Sequence, residues 1–151
     1  TEFGQKAFGI LQGNPVGKII FDMRNNGGGN SAQGTAFIER LAGFLKQHPG
    51  IKTYVVIGRS TFSSAILNTM DFKHLTDAVV VGEQTAGKPN HFGEVRSFQL
   101  PGSKLTVAYS TKYFRRTDEE ADTITPDVRI EMSFADFTKG IDPVYEWIKA
   151  Q

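Results

Sequence analysis

Lys18-Ile19-Ile20-Phe21-Asp22-Met23-Arg24-Asn25-Asn26-Gly27-Gly28-Gly29-Asn30-Ser31 is the stretch whose reading decides the fold. A short apolar run gives way to polar residues, then to three glycines, then to Asn30 or Ser31, either of which can cap a helix. That helix is predicted to run to about His48, with Phe37, Ile38, Leu41 and Leu45 in its apolar stripe, and Pro49-Gly50 stops it. The unit then repeats. Thr53–Ile57 reads as a strand, Gly58–Phe62 as its loop, and Ser63 to about His74 as a second helix. Ala78–Val81 is a third strand, entering the loop Gly82–Lys88. All three strands are apolar throughout, as strands covered on both faces of a parallel sheet are. The order is β-α-β-α-β, a chain of right-handed crossovers.

Outward from this core the signals are simpler. Residues 2–12 put Phe3, Ala7, Phe8 and Leu11 on one helical face, before Gly13-Asn14-Pro15 breaks the pattern. Beyond Lys88, Phe98–Leu100 and Leu105–Tyr109 flank Pro101-Gly102-Ser103 as a hairpin. The polar stretch Arg115–Asp122 reads as a mobile loop, Pro126–Ile130 as a short strand, and Ser133–Asp136 and Asp142–Lys149 as closing helices. The expected architecture is one α/β domain over residues 1–151 with a parallel core, a C-terminal β-hairpin and helices.

Bulk composition excludes several functions. Lys plus Arg (17) nearly cancels Asp plus Glu (16), leaving no basic field for nucleic acid. No apolar run reaches the 18 or so residues of a membrane span. There are no cysteines, hence no disulfide, thiolate zinc site or cysteine nucleophile. Nothing calls for a metal or a cofactor. The chain opens Thr1-Glu2-Phe3 without an initiator Met, and is expected to be a piece of a longer protein.

Three loops leave the carboxyl ends of successive parallel strands, the edge at which open α/β sheets bind ligands. One is glycine-rich, one ends in Ser63, and one carries Lys88. As a local feature, Ser63 is an N-cap, and Ser64 could serve equally. At the positive end of a helix dipole, the same hydroxyl is placed to carry developing negative charge. Three glycines are either a loose connector or backbone that must approach something closely, with amides free to hold an oxyanion. Lys88 is either a solvated charge or a general base. The second role needs a fall from an ordinary pKa near 10.4 to about 7–8, ~4 kcal/mol that burial could supply.

Two nucleotide motifs fail on context. Gly82–Pro89 nearly fits a phosphate-binding loop, but Pro89 stands where a magnesium-binding hydroxyl is required, and no helical pattern follows. Gly27-Gly28-Gly29-Asn30-Ser31-Ala32 fits the dinucleotide fingerprint of an NADP-binding Rossmann-type domain. However, Asp22, Arg24, Asn25 and Asn26 intervene between the apolar strand and its first glycine, and no acid follows the second strand.

Ile20–Gly29 resembles the Asp-Leu-Arg-x-Asn-x-Gly-Gly segment of the C-terminal-processing (tail-specific) serine peptidases. Thr61–Ala65 is similar to their nucleophile segment, and Gly82–Lys88 to their Gly-x-x-Thr-x-Gly-Lys segment. Thr125–Val128 resembles a later Pro-Asp turn. The resemblance implies a Clp-protease/crotonase-like fold, a polypeptide substrate, and a Ser63–Lys88 dyad. It also implies an oxyanion hole from the amide of Ser64 and that of a loop glycine, Gly28 first and its neighbour Gly29 second. The family's register of 25 positions between serine and lysine is met, since 88 − 63 = 25.

Two departures point to a second arrangement. Ser64-Ala65-Ile66 follows Ser63 where the processing branch has Ala-Ser-Glu, and Pro89 replaces a glycine. The Phe62-Ser63-x-Ala65 style resembles the tricorn-like branch, which implies a histidine base upstream of Thr1, oriented by Glu120 or, less well, Asp122. His48, His74 and His91 read as surface residues, only His91 lying near the rim. The family further implies upstream segments, sometimes PDZ-like, and an extracytoplasmic location. A non-catalytic binding module of the same fold, for peptide or retinoid, is the rival expectation from another class.

Overall fold

The computed structural model describes residues 1–151. In chain order the elements are α1 (Glu2–Gly13), β1 (Lys18–Asp22), α2 (Ser31–Gln47), β2 (Lys52–Ile57), α3 (Ser64–Leu75) and β3 (Val79–Gly82). There follow β4 (His91–Gln99), β5 (Thr106–Phe114), β6 (Val128–Arg129), α4 (Phe134–Lys139) and α5 (Pro143–Ala150). Strands β1-β2-β3-β6 form one sheet, parallel throughout, with Phe21 opposite Val55 and Val55 opposite Val80. The predicted β-α-β-α-β core is present, and β6 extends it.

Alternation along β2 divides the core into two layers. Val55 and Ile57 face Phe8 of α1, Ile38 and Leu41 of α2, and Ile66, Met70 and Phe72 of α3. Tyr54 and Val56 face the other way, with Val81, onto Val144 and Ile148 of α5. The sheet is thus sandwiched, α1, α2 and α3 on one face and α5 on the other. Coverage is uneven along it. β2 is buried from Thr53 to Ile57, whereas β1 lies at the sheet's edge and leaves Ile20 38% exposed. The expectation of full burial fails for β1 because an edge strand has a neighbour on one side only.

α3 has no solvated face over most of its length, since every residue from Ser64 to Phe72 is buried. Its polar members must therefore be paired within the protein. Asp71 accepts from Thr35 Oγ1 at 2.6 Å and Asn68 Nδ2 at 3.1 Å, and it meets Arg116 Nη1 at 3.1 Å.

Two expectations need correction after Lys88. The hairpin is about twice as long as its apolar signal, nine residues a side, and pairs with no other strand. Polar residues interrupt the pattern because most of both strands is exposed, with Phe92 at 69% and Val95 at 68%. The stretch 115–122 is also fastened. Buried Asn90 accepts from the amides of Arg116 (2.7 Å) and Thr117 (3.1 Å) and donates to Thr117 O, while Arg116 reaches Asp71. A polar composition hid specific buried partners. No helix is long and apolar enough to cross a membrane.

Candidate active site

Ser63 stands between β2 and α3 with φ 53° and ψ −121°, a backbone conformation costly for a side chain bearing a Cβ. An N-cap residue ordinarily has extended backbone and an accepting side chain. Ser63 has neither, and its hydroxyl makes no capping bond. The side chain is half-buried and open to solvent. A strained serine raised on a strand-to-helix turn is the geometry that presents an Oγ at a sheet's edge for nucleophilic attack.

The glycine loop is locked to this turn. Asn26 O accepts from Phe62 N at 3.0 Å, Met23 O from Thr61 Oγ1 at 2.8 Å, and Gly29 O from Ser64 Oγ. Gly28, at φ +106°, comes so close that an added Cβ would lie 2.7 Å from Ser63 Cβ and 3.0 Å from Ser64 N. The ambiguity between the two serines resolves here. Ser64 is buried and its hydroxyl is committed to Gly29, so of the two only Ser63 is open.

Amide accounting separates the glycines as well. Gly28 N donates to Asn26 Oδ1 at 3.0 Å, so this donor is already engaged. The amides of Gly29 and Ser64 have no acceptor within the protein. The placing of Gly28 first among the loop donors is thereby corrected, because the Asn26 side chain, unremarked in the sequence, takes its N–H. The signal was present as an Asx-turn pattern, Asn26-Gly27-Gly28.

The third loop reaches the same turn. A Cβ on Gly87 would meet Ile66 Cδ1 at 2.7 Å and the Phe62 ring at 3.1 Å. Its lysine, however, is not in a dry crevice. Lys88 Nζ pairs with Asp122 Oδ1 at 2.6 Å, the Lys88 side chain is 54% exposed, and it makes no hydrogen bond with Ser63. The Asp122 carboxylate raises the Lys88 pKa above its ordinary value, with a further contribution from Glu120. Asp122 is lowered in turn by Lys88. The neutral amine expected of a general base is disfavoured by both the solvent and the anion. Glu120 itself is exposed.

The histidines lie elsewhere. His91 Nδ1 is 2.9 Å from Lys88 O, His48 stacks on Phe44, and His74 occupies the last turn of α3. No group of three or more His, Asp or Glu side chains is placed to hold a metal ion. A groove of about 890 Å³ lies at the opposite end of β2 and β3, lined by Lys46, Thr53, Lys73 and Trp147. A smaller cleft of about 210 Å³ opens at the rim, between Arg24, Gly58, Arg59, Glu83 and Met132. After Lys88 the chain continues into strand β4, which agrees with setting the phosphate-loop reading aside.

No family model matches this chain, and no curated protein resembles it in sequence. Solved structures do match. A Parabacteroides merdae protein described as a candidate peptidase superimposes at a TM-score of 0.66, with 20% identity over 89% of this chain and 51% of its own. The photosystem II D1 C-terminal processing protease matches at 0.58, with 21% identity over 84% of this chain and 38% of its own. The tricorn protease matches at 0.53, with 19% identity over 87% of this chain and 14% of its own. The fold is that of the S41-type, C-terminal-processing peptidases. At this level of identity the likeness establishes architecture, and the chain spans about half or less of the length of these structures.

Proposed function

We propose that this chain is the catalytic subdomain of a serine peptidase with Ser63 as nucleophile. The observation that carries the reading is the strained backbone of Ser63, held against Gly28 beside two unpartnered amides. Ser63 Oγ gives its proton to a base and bonds to the carbonyl carbon of a peptide. The Gly29 and Ser64 amides hold the resulting oxyanion, each such donor contributing about 10²–10³ in rate. Collapse breaks the C–N bond, and the base returns the proton to the departing amine. Water, deprotonated by the same base, then releases the acyl group and restores the Ser63 hydroxyl.

The charged, solvated state of Lys88 favours a histidine outside residues 1–151 as that base, with Glu120 as its orienting acid. The substrate is an extended polypeptide. The unpaired outer edges of the β4–β5 hairpin support its docking by strand addition, in keeping with processing near a chain end. The test is labelling of the longest native form of the protein by a fluorophosphonate. We expect stoichiometric labelling that Ser63→Ala abolishes. Equal labelling of both forms, or of neither, removes Ser63 as nucleophile.

A further inference from the structure

The glycine loop hangs from the tip of β1, and β1 is an edge strand paired only with β2. Past Met23, whose amide still donates to Val56 O at 2.8 Å, the sheet no longer directs the loop. α5 packs on Tyr54, Val56 and Val81 of β2 and β3, and side chains at the start of β1 and just past its end are tied to the two ends of this helix. Where β1 begins, Lys18 Nζ donates to Ile148 O at 2.9 Å and Lys149 O at 2.8 Å, carbonyls at the negative end of the helix. Where β1 ends, Arg24 Nη2 donates to Asp142 Oδ2 at 2.7 Å.

Asp142 serves two partners at once. Its Oδ1 caps α5, accepting from the amides of Val144 and Tyr145, both at 3.1 Å, while Oδ2 holds the guanidinium. Arg24 in turn grips Asp22 through Nε at 3.0 Å and Nη2 at 2.7 Å. The side chains of Arg24 and Asp142 are only 31% and 33% exposed, so the bridge is partly withdrawn from solvent screening. Two residues after Arg24 comes Asn26, whose carbonyl holds Phe62 N and whose side chain holds Gly28 N. A rotation of the chain at Arg24 is therefore passed through Asn26 to the glycine amides.

We infer that α5 is a splint for the oxyanion loop, and that Arg24 is the positioning residue through which it acts. The consequence for acylation rests on the peptidase reading, whereas the consequence for loop geometry does not. Asp142→Asn isolates the effect, because Asn caps a helix about as well as Asp but carries no charge for Arg24. Arg24→Met removes the bridge from the other side, and Arg24→Lys, a point charge that cannot serve both acids bidentately, should fall between.

Amide hydrogen exchange at Gly28 is the first readout, with Leu67, bonded to Ser63 O in α3, as the internal control. In Asp142→Asn and Arg24→Met we expect Gly28 to exchange about tenfold faster, with Leu67 unchanged and the melting temperature lowered by no more than a few degrees. Fluorophosphonate acylation should slow by about tenfold at saturating probe, with the half-saturating concentration unmoved. Unchanged exchange at Gly28, or a parallel rise at Gly28 and Leu67 with a falling melting temperature, overturns the splint. Faster Gly28 exchange in a protein that no probe labels keeps the splint and discards the peptidase. Normal labelling with unchanged exchange does the reverse.

Discussion

The Ser63 turn and the Lys88 loop leave neighbouring strand tips, yet they are built in opposite ways. Around Ser63 the glycine loop and the serine turn fasten each other: Phe62 N to Asn26, Thr61 Oγ1 to Met23, Ser64 Oγ to Gly29, and Gly28 pressed against the serine. Around Lys88 the backbone is anchored by Gly87, but the amine end of the side chain is in water, bound to a still more exposed acid. On the proposed peptidase reading, the chain preorganises the nucleophile and its oxyanion donors and leaves the proton acceptor unformed. Backbone strain persists only where surrounding structure over-determines it, and that condition holds at Ser63 alone of the two.

Gly28→Ala should break the first half of this contrast most severely. The new methyl would overlap Ser63 Cβ and demand a positive φ from alanine. Strain and overlap together cost about 2–4 kcal/mol, or on the order of 10 °C in melting temperature. Labelling should fall by about 10² or more, since the turn must move to relieve the clash. A variant that melts normally and labels normally would show that the glycine is not what holds the serine.

Asp71→Ala tests the second region from behind. It strips Arg116, Thr35 and Asn68 of their shared buried acceptor, at a cost of about 2–4 kcal/mol. Since Arg116 and Asn90 secure the stretch that carries Glu120 and Asp122, proteolysis between 115 and 122 should accelerate in this variant. Cleavage at an unchanged rate would mean that Asn90 suffices.

A smaller effect follows from acid. Asp22 is held below the usual carboxylate range by Arg24. For Asp142 and Asp127 burial pulls upward, but hydrogen bonds from Arg24 and the α5 amides, and from Lys73 and Val80 N, outweigh it. Depressed native pKa values give stability that is complete above the unfolded range near 4 and is lost as pH falls through the folded values. Melting temperature should therefore decline below about pH 4, and Asp142→Asn should flatten that acid limb by a few degrees. An unaltered limb would assign the acid sensitivity to other carboxylates.

The parallel core was legible because β2 and β3 are buried on both faces and carry little but β-branched residues. Ser63 and the glycine loop were legible because order along the chain alone brings them to one edge. The remainder depended on pairings that no local rule reveals. Asn26 and Gly28 compete for meaning inside a motif, and only the bond of 3.0 Å shows that Gly28 N is taken. The hairpin β4–β5 lacks a buried face, so its alternation is weak, and its true length could not be read. Asp71 and Arg116 stand 45 residues apart. Lys88 had the right register and the wrong surroundings, a difference that spacing does not encode.

Lys88→Met gives the smallest expected change and the sharpest decision. Because the Lys88 pKa is raised by Asp122, its charged form is favoured, and any stability it adds is present below its unfolded value and lost only as pH rises past about 10.5. Asp122 is lowered, so its share is lost only on acidification below the ordinary carboxylate range. Between roughly pH 5 and 10 the pair does not titrate, and a group that does not titrate there cannot produce a neutral-pH limb in an acylation profile. If the base is a histidine outside residues 1–151, Lys88→Met should label within about threefold of the native rate and keep a limb near pH 6.5. Its melting temperature should move by about a degree at most, as for any exposed ion pair. A loss of labelling by about 10² or more, with the fold intact, would mean that Asp122 releases Lys88 during the reaction and that the amine is the base after all.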